Sequence, residues 1–113
     1  MMAVSFVVEA PPPWKQVPAD AVERNRQVQR LGALRQAAQE AMKGKAPLSS
    51  RCAVFIRYVR SQGRADGANI VGGVLDGLQG IAFDNDRQVA EATYQEQQGP
   101  TDRYQVTVIE LAL

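Results

Sequence analysis

Three consecutive prolines at residues 11–13 constrain the fold most, because they fix where the first strand must end. The preceding residues 3–9 are rich in β-branched and aromatic side chains and place Val4, Phe6 and Val8 on one face. Proline has no backbone N–H to donate to a neighbouring strand. The sequence therefore predicts a short first strand that leaves the sheet at the prolines as a stiff, extended loop.

Two segments have the start signals and apolar spacing of helices. Asp20 followed by Glu23 is a variant of the capping box, which predicts a helix from there to about residue 43. Asn69 is a candidate N-cap for a shorter helix over residues 70–79, and Gly80 is expected to end it. Both segments carry an apolar stripe suited to packing on a core.

Three further segments have strand patterns, at residues 52–60 and at about residues 88–95 and 104–111. The last two follow each other closely and are expected to form an antiparallel pair, whereas strands separated by helices favour parallel pairing. The order β-α-β-α-β-β predicts an α+β fold, in which a mixed sheet of about four strands is backed by two helices.

The length of 113 residues and the hydrophobic content of 45% predict a single folded domain over residues 1–113. No apolar run approaches the roughly 20 residues of a membrane-spanning helix, and residues 1–13 do not resemble a signal peptide. Cys52 is the one cysteine, so no disulfide forms within the chain, which suits the cytoplasm. It opens an apolar run and is expected to be a buried thiol.

The chain contains no histidine. This excludes Ser-His and Cys-His nucleophile pairs and every zinc site that uses histidine. Any catalysis must therefore rest on carboxylates, lysines, arginines or a bound metal.

Charge is divided unevenly along the chain. Residues 10–64 contain eleven Lys/Arg and three Asp/Glu, whereas residues 65–113 contain two and eight. One interpretation is a polyanion-binding face beside a cation-binding pocket. The other is that the two halves attract each other or a partner chain, and the charges alone favour this second interpretation.

Two acidic loops, residues 64–69 and 84–88, hold most of the candidate chemistry. A ten-residue helix of about 15 Å separates them, so they meet only if the third strand brings Asp86 back beside Asp66. Carboxylates that met there would suit Mg²⁺ or Mn²⁺. Spacing alone favours a simpler interpretation, in which Asp66 and Asn69 cap the helix and residues 84–86 form a solvated turn.

Three short motifs nevertheless occur in a specific order across these loops. The chain reads Asp-Gly-Ala-Asn-Ile from Asp66, Asp-Gly-Leu-Gln-Gly from Asp76 and Asn-Asp-Arg-Gln-Val from Asn85. This order resembles the RusA-type Holliday junction endonucleases, whose pattern reads Asp-x-Asp-Asn-apolar, then Asp-Ala-Leu-Asn-Gly, then Asp-Asp-x-Gln-Val/Ile. The match covers about 25 residues and extends weakly to the strands at both ends.

The resemblance implies a small homodimeric nuclease that resolves four-way DNA junctions in recombination and repair with Mg²⁺, or alternatively Mn²⁺. Matched residue by residue, Asp66 and Asp86 would be catalytic metal ligands, with Asp84 and Asn85 as further candidate ligands. Basic side chains expected to contact DNA phosphates are Lys15, Arg24, Arg26, Arg57, Arg60, Arg64 and Arg87. Trp14 is expected either to stack on bases at the branch point or to be buried against the first helix.

Three departures from the family pattern bear on catalysis. Ala68 stands at the second Asp of the first motif, Asn85 at the first Asp of the last motif, and Gly72 where some members carry a functional lysine. Asp66 and Asp86 suffice for one ion, but a two-metal site is harder to build. Two alternatives therefore stay open: a homologue that binds DNA without cleaving it, and a small α+β protein-interaction module.

Glycines make the second helix costly. Gly72, Gly73 and Gly77 together disfavour it by about 2–3 kcal/mol relative to alanine. Either a tight dimer or DNA contact, or ordinary packing within the chain, is expected to offset this.

Overall fold

A computed structural model describes residues 2–63 and 66–112. Its regular elements are β1 (Ala3–Val8), α1 (Ala21–Ala41), β2 (Cys52–Arg60), α2 (Gly67–Leu78), a 3₁₀ turn (Asp86–Gln88), β3 (Val89–Gln98) and β4 (Arg103–Glu110). The expected α+β order and the mixed, four-stranded sheet with two helices are confirmed.

The four strands lie in the order β1-β4-β2-β3. β2 and β3 are parallel, as expected for strands joined through a helix, and β4 runs antiparallel to both β1 and β2. The predicted antiparallel pairing of the last two strands is therefore wrong. β4 alternates the buried side chains of Tyr104, Val106 and Val108, which suits a central strand, whereas β3 is mostly polar and exposed and suits an edge.

Both helices pack on one face of the sheet, and one hydrophobic core lies between the two layers. Along residues 54–58 of β2 and 104–108 of β4, the even-numbered side chains point into this core and alternate with more exposed neighbours. α1 contributes Leu34 and Ala38, and α2 contributes Ile70, Val74 and Leu78. Cys52 is fully buried, as expected, and this burial raises the pKa of its thiol.

The helix starts follow from side-chain caps. Asp20 caps α1 as predicted, by accepting a hydrogen bond from the backbone N–H of Glu23 at 2.8 Å. α2 begins three residues earlier than expected, because Asp66 rather than Asn69 is its N-cap. Gly80 follows α2 with a positive φ of 82°, a conformation in which glycine is favoured. In the described part of the chain, neither helix is long and apolar enough to span a membrane.

Candidate metal and DNA-binding site

Asp66 lies exposed at the N-terminus of α2. Its Oδ1 accepts a hydrogen bond from the backbone N–H of Asn69 at 2.8 Å, so the simpler interpretation of this residue as a helix cap is confirmed. An ionised carboxylate has two oxygens with several acceptor positions. Capping therefore leaves Asp66 with acceptor capacity that faces solvent.

The second acidic loop is held by amide side chains. The side chain of Asn85 accepts a hydrogen bond from the N–H of Arg87 at 2.9 Å, and Gln88 accepts one from the N–H of Asn85 at 2.7 Å. Gln88 also donates to the carbonyls of Leu48 and Ser50. Asn85 is thus committed to the turn, while the carboxylates of Asp84 and Asp86 are exposed.

The structure places Asp66 and Asp86 at opposite ends of α2. Parallel pairing sets the start of β3 beside the start of β2, whereas Asp66 follows the end of β2. At the other end of the helix, the N–H of Asp86 donates to Gln79, the C-cap residue, at 3.3 Å. The helix between them is about 18 Å long. The expectation that the two carboxylates meet within one chain is therefore wrong.

No metal-binding cluster is formed elsewhere either: within residues 2–63 and 66–112, no three side chains of the types Asp, Glu or Cys lie together as a metal site would require. Asp84 shares the loop of Asp86, and its backbone N–H donates to the carbonyl of Leu48. The candidate ligands thus form two separate groups, one at each end of α2.

A segment that we call the proline strap, residues 11–16, passes between α1 and α2. Gln27 of α1 binds the backbone of Trp14 through two hydrogen bonds, of 3.0 and 2.7 Å. On the other side, Asn69 of α2 binds the backbone of Gln16 in the same two-point manner, and its carbonyl accepts the N–H of Lys15. The motif asparagine therefore positions the strap.

The glycines of α2 are explained by close packing within the chain. A Cβ at Gly73 would lie 2.3 Å from the carbonyl oxygen of Pro13, and one at Gly77 would lie 2.6 Å from the Leu34 side chain of α1. These glycines admit the strap and α1, so packing within the chain offsets their cost. The structure thus favours this alternative over a dimer or DNA contact through the glycines.

Lys15 crosses the surface of α2 at Gly72. Its Cβ and Cγ lie 2.8 and 3.1 Å from where a Cβ at Gly72 would be. Its Nζ contacts the two carboxylate oxygens of Asp76 at 2.8 and 3.1 Å. The hydrogen bond to Asp76 and the attraction of its charge raise the pKa of Lys15, and the charge of Asp86 contributes in the same direction.

The arginines expected to bind DNA are distributed over several surfaces. Arg24 and Arg87 are exposed, and Arg26 pairs with Glu23 one turn away. Arg60 is only 11% exposed and binds Glu96 at 2.6 Å. Arg57 lies on the sheet face opposite the helices and donates to Gln95. Arg64 lies outside the described residues.

A cleft of about 540 Å³ separates the first half of α1 from the end of β2. Trp14 lines it and is half-buried, with the guanidinium of Arg30 over its ring at 5.0 Å. The opposite wall includes Arg60, whose guanidinium lies 5.2 Å from the ring of Tyr58. Trp14 is therefore partly buried, while the part of its ring that lines the cleft is accessible. This lies between the two alternatives expected for it, full burial against α1 and stacking on bases.

Several contacts that build this region have no local signal in the sequence. Gln27, Gln79 and Gln88 each bind a backbone group 7 to 40 residues away, and glutamines of this kind look like ordinary surface residues. The pairing of Lys15 with Asp76 joins residues 61 positions apart. Only the closely spaced glycines of α2 indicated that a backbone must pass nearby.

The family model of endodeoxyribonuclease RusA matches residues 6–109, nearly the whole chain. No curated protein matches the sequence significantly. The matched range contains both acidic loops, the strap and all four strands, except the first three residues of β1 and the last residue of β4.

Proposed function

Because the chain belongs to the endodeoxyribonuclease RusA family, whose members resolve Holliday junctions, we propose that it cleaves four-way DNA junctions with Mg²⁺ or Mn²⁺. The observation that carries the proposal is that Asp66 and Asp86, the carboxylates at the matching motif positions, are both exposed to solvent. Their oxygens are the donors that these hard cations prefer.

A homodimer accounts for the separation of the two carboxylates. If two chains related by a two-fold axis set their α2 helices side by side in opposite directions, Asp66 of each chain lies near Asp86 of the partner subunit. This arrangement creates two equivalent sites. Ala68, Val71 and Leu75 support this arrangement, because they form a partly exposed apolar row at helical spacing on α2. Two equivalent sites also suit the two opposed strands of a junction.

The donor set fits one ion per site better than two. Two carboxylates, completed by water and phosphate oxygens, are a usual ligand set for Mg²⁺. When bound, the ion supplies an activated water and stabilises charge at the scissile phosphate. Asp66 and Asp86 hold the ion in this proposal, while Arg87 stabilises negative charge on the phosphate.

The exposed basic residues of α1 extend the contact with the DNA backbone. Arg24 and Arg26 lie on its first two turns, and the strap beside them carries Trp14 and Lys15. Binding through such residues falls steeply as the salt concentration rises. A cytoplasmic location belongs to the same proposal and agrees with a buried, unpaired thiol at Cys52.

The test incubates a labelled four-way junction with the wild type and the variants Asp86→Asn and Ala68→Asp, with Mg²⁺ or Mn²⁺. We expect cleavage by the wild type, loss of at least about 100-fold in rate for Asp86→Asn without loss of binding, and faster cleavage by Ala68→Asp. Binding is measured in EDTA, so that affinity and cleavage are separated.

Ala68 favours a second candidate function, that of a junction-binding protein without cleavage. If the wild type binds junctions and stays inert while Ala68→Asp cleaves them, this second function is the correct one. If no variant binds junctions at low salt, both functions are wrong, and a protein-interaction module is the remaining alternative.

A further inference from the structure

We infer that Lys15, carried by the proline strap, contacts a DNA phosphate beside Asp86 from the place that a side chain at position 72 of α2 would occupy. The inference rests on the proposed function and adds one specific contact to it. The strap thereby supplies to the face of α2 a cation that the helix itself lacks at this position.

The path of the Lys15 side chain is the first observation. Its Cβ, Cγ and Cδ lie 2.8, 3.1 and 3.4 Å from an ideal Cβ at Gly72, so the whole stem follows the helix surface there. Cβ atoms do not approach one another this closely. A side chain at position 72 would therefore collide with Lys15 in its present position. Only glycine at position 72 leaves room for the lysine on the surface of α2.

Second, the backbone of Lys15 and of its two neighbours is held firmly by hydrogen bonds. Its own N–H donates to the carbonyl of Asn69 at 2.8 Å, and its neighbours Trp14 and Gln16 are each bound by an amide side chain at two points. A lysine that only improves solubility needs no such support. Because the backbone of Lys15 is fixed, its flexible side chain can place the ammonium in fewer positions, which favours a specific contact.

The third observation is where the ammonium lies. Asn69, Gly72 and Asp76 follow one another at i, i+3 and i+7, a single stripe of α2 that leads towards Gln79. Asp76 holds the Nζ of Lys15 on this stripe, and Gln79 holds the backbone of Asp86 at its end. The ammonium therefore lies on the stripe of α2 that leads towards the second acidic loop.

The pair formed by Lys15 and Asp76 remains open to a third group. Their side chains are 55% and 38% exposed. An ammonium has three N–H donors, so a phosphate oxygen can bind while Asp76 stays in place. Because exposed ion pairs contribute little to stability, this pair is better understood as positioning the ammonium than as stabilising the fold.

The experiment compares four variants with the wild type: Lys15→Met, Lys15→Gly, the swap Lys15→Gly/Gly72→Lys, and Lys15→Gly/Gln39→Lys. The swap moves the lysine onto α2 and removes the Cβ that would collide with it. The last variant restores the same net charge at an exposed position of α1 and is the matched control. Affinity for a labelled four-way junction is measured in EDTA at fixed low salt, and thermal unfolding is measured in parallel.

We expect Lys15→Met and Lys15→Gly to bind the junction about 10-fold more weakly. The slope of log affinity against log salt concentration should fall by about one, as for the loss of one phosphate contact. The swap is expected to return to within about three-fold of the wild type, and the charge-matched control is not. Lys15→Met keeps the apolar stem, so its unfolding temperature should stay close to that of the wild type.

Three results would overturn the inference while leaving the proposed function intact. Unchanged junction affinity of Lys15→Met would show that its ammonium makes no DNA contact. Recovery by the Gln39→Lys control would show that only net charge matters, and failure of a folded swap variant to recover would show that position 72 is not equivalent. If the wild type itself does not bind junctions, the proposed function fails, and the inference fails with it.

Discussion

Gly73 shows how a single residue determines the arrangement of the site. It lies where the strap crosses α2, and the carbonyl of Pro13 occupies the space that a side chain would need. A backbone carbonyl in a segment held by Gln27 and Asn69 cannot move aside as the end of a side chain can. The position of Lys15 therefore depends on this glycine as well as on Gly72.

Gly73→Ala is expected to destabilise the protein by about 1–3 kcal/mol, since the clash outweighs the gain of up to about 1 kcal/mol in helix propensity. Gly32→Ala in α1 is the matched control, because nothing lies within 4 Å of its Cβ position, and it should be neutral or stabilising. Urea unfolding measures both free energies. Equal or greater stability of Gly73→Ala would show that the strap does not pack against α2 as described.

At the scale of elements, three neighbouring strands of the sheet, β4, β2 and β3, each carry one tyrosine. Tyr58 of β2 contacts Tyr104 of β4 edge to face, with ring centroids 6.4 Å apart, and donates a hydrogen bond to Asp102. Tyr94 of β3 binds Glu96. Burial is the main reason that the pKa of each tyrosine is raised, and hydrogen bonds to carboxylates add to it for Tyr58 and Tyr94.

The three tyrosines of the chain should therefore ionise late in an alkaline titration. Burial and the bond to Glu96 raise the pKa of Tyr94 from 10.0 to about 12, and those of Tyr58 and Tyr104 are raised as well. The folded state then holds protons that the unfolded state releases near pH 10, so stability falls as the pH rises above 10. Absorbance at tyrosinate wavelengths should show no ionisation near pH 10 in the folded protein and full ionisation there in urea.

A tyrosine that titrated near pH 10 in the folded protein would contradict the packing of its strand. Tyr94→Phe serves to assign the signal, because Tyr94 is the least buried of the three. Its removal should eliminate the first ionisation of the folded state.

The elements themselves were largely predictable from local patterns, whereas their partners were not. The cap at Asp20 and the β-branched run of β2 depend on neighbouring residues, so both boundaries were predicted correctly or nearly so. The place of β4 in the sheet depends on which distant strands form backbone hydrogen bonds along its two edges. The position of Lys15 likewise depends on contacts far along the chain, with Asn69 and Asp76.

At the scale of the whole molecule, the separation of the two acidic loops has a direct consequence for assembly. Neither end of α2 holds both motif carboxylates. In the proposed site, Asp66 and Asp86 come together only if a second chain places the opposite end of its own α2 alongside. The homodimer that the family resemblance implied thus becomes a requirement of the proposed metal site. It also makes the site testable by mixing subunits.

Asp66→Asn and Asp86→Asn should each be inactive alone but should complement each other when mixed. In a site shared between chains, a mixed dimer has one site with both native carboxylates and one with neither. After subunit exchange, about half of the dimers are mixed, so about one quarter of the wild-type cleavage activity should return. The measurement is cleavage of a four-way junction before and after co-refolding of the two variants.

Mixing of Asp66→Asn with the double variant Asp66→Asn/Asp86→Asn is the control, since no combination of these chains restores a complete site. Activity that stays absent in the complementing mixture, although mixed dimers are shown to form, would place both ligands of each site on one chain.

The order β1-β4-β2-β3 also determines when the sheet can close during synthesis. β1 pairs with β4 alone among the strands, and the N–H of Met2 donates to Glu110 at the far end of the chain. The ribosome makes β1 first, yet β4, which is its one neighbour in the sheet of the described residues, is the last of these four strands to be made. On a nascent chain, β2, α2 and β3 can assemble as a parallel unit before β4 has been made. During that time β1 has no strand to pair with. The sheet can therefore close only when β4 joins β1 to β2, and until then the edges of both strands that face β4 have no partner.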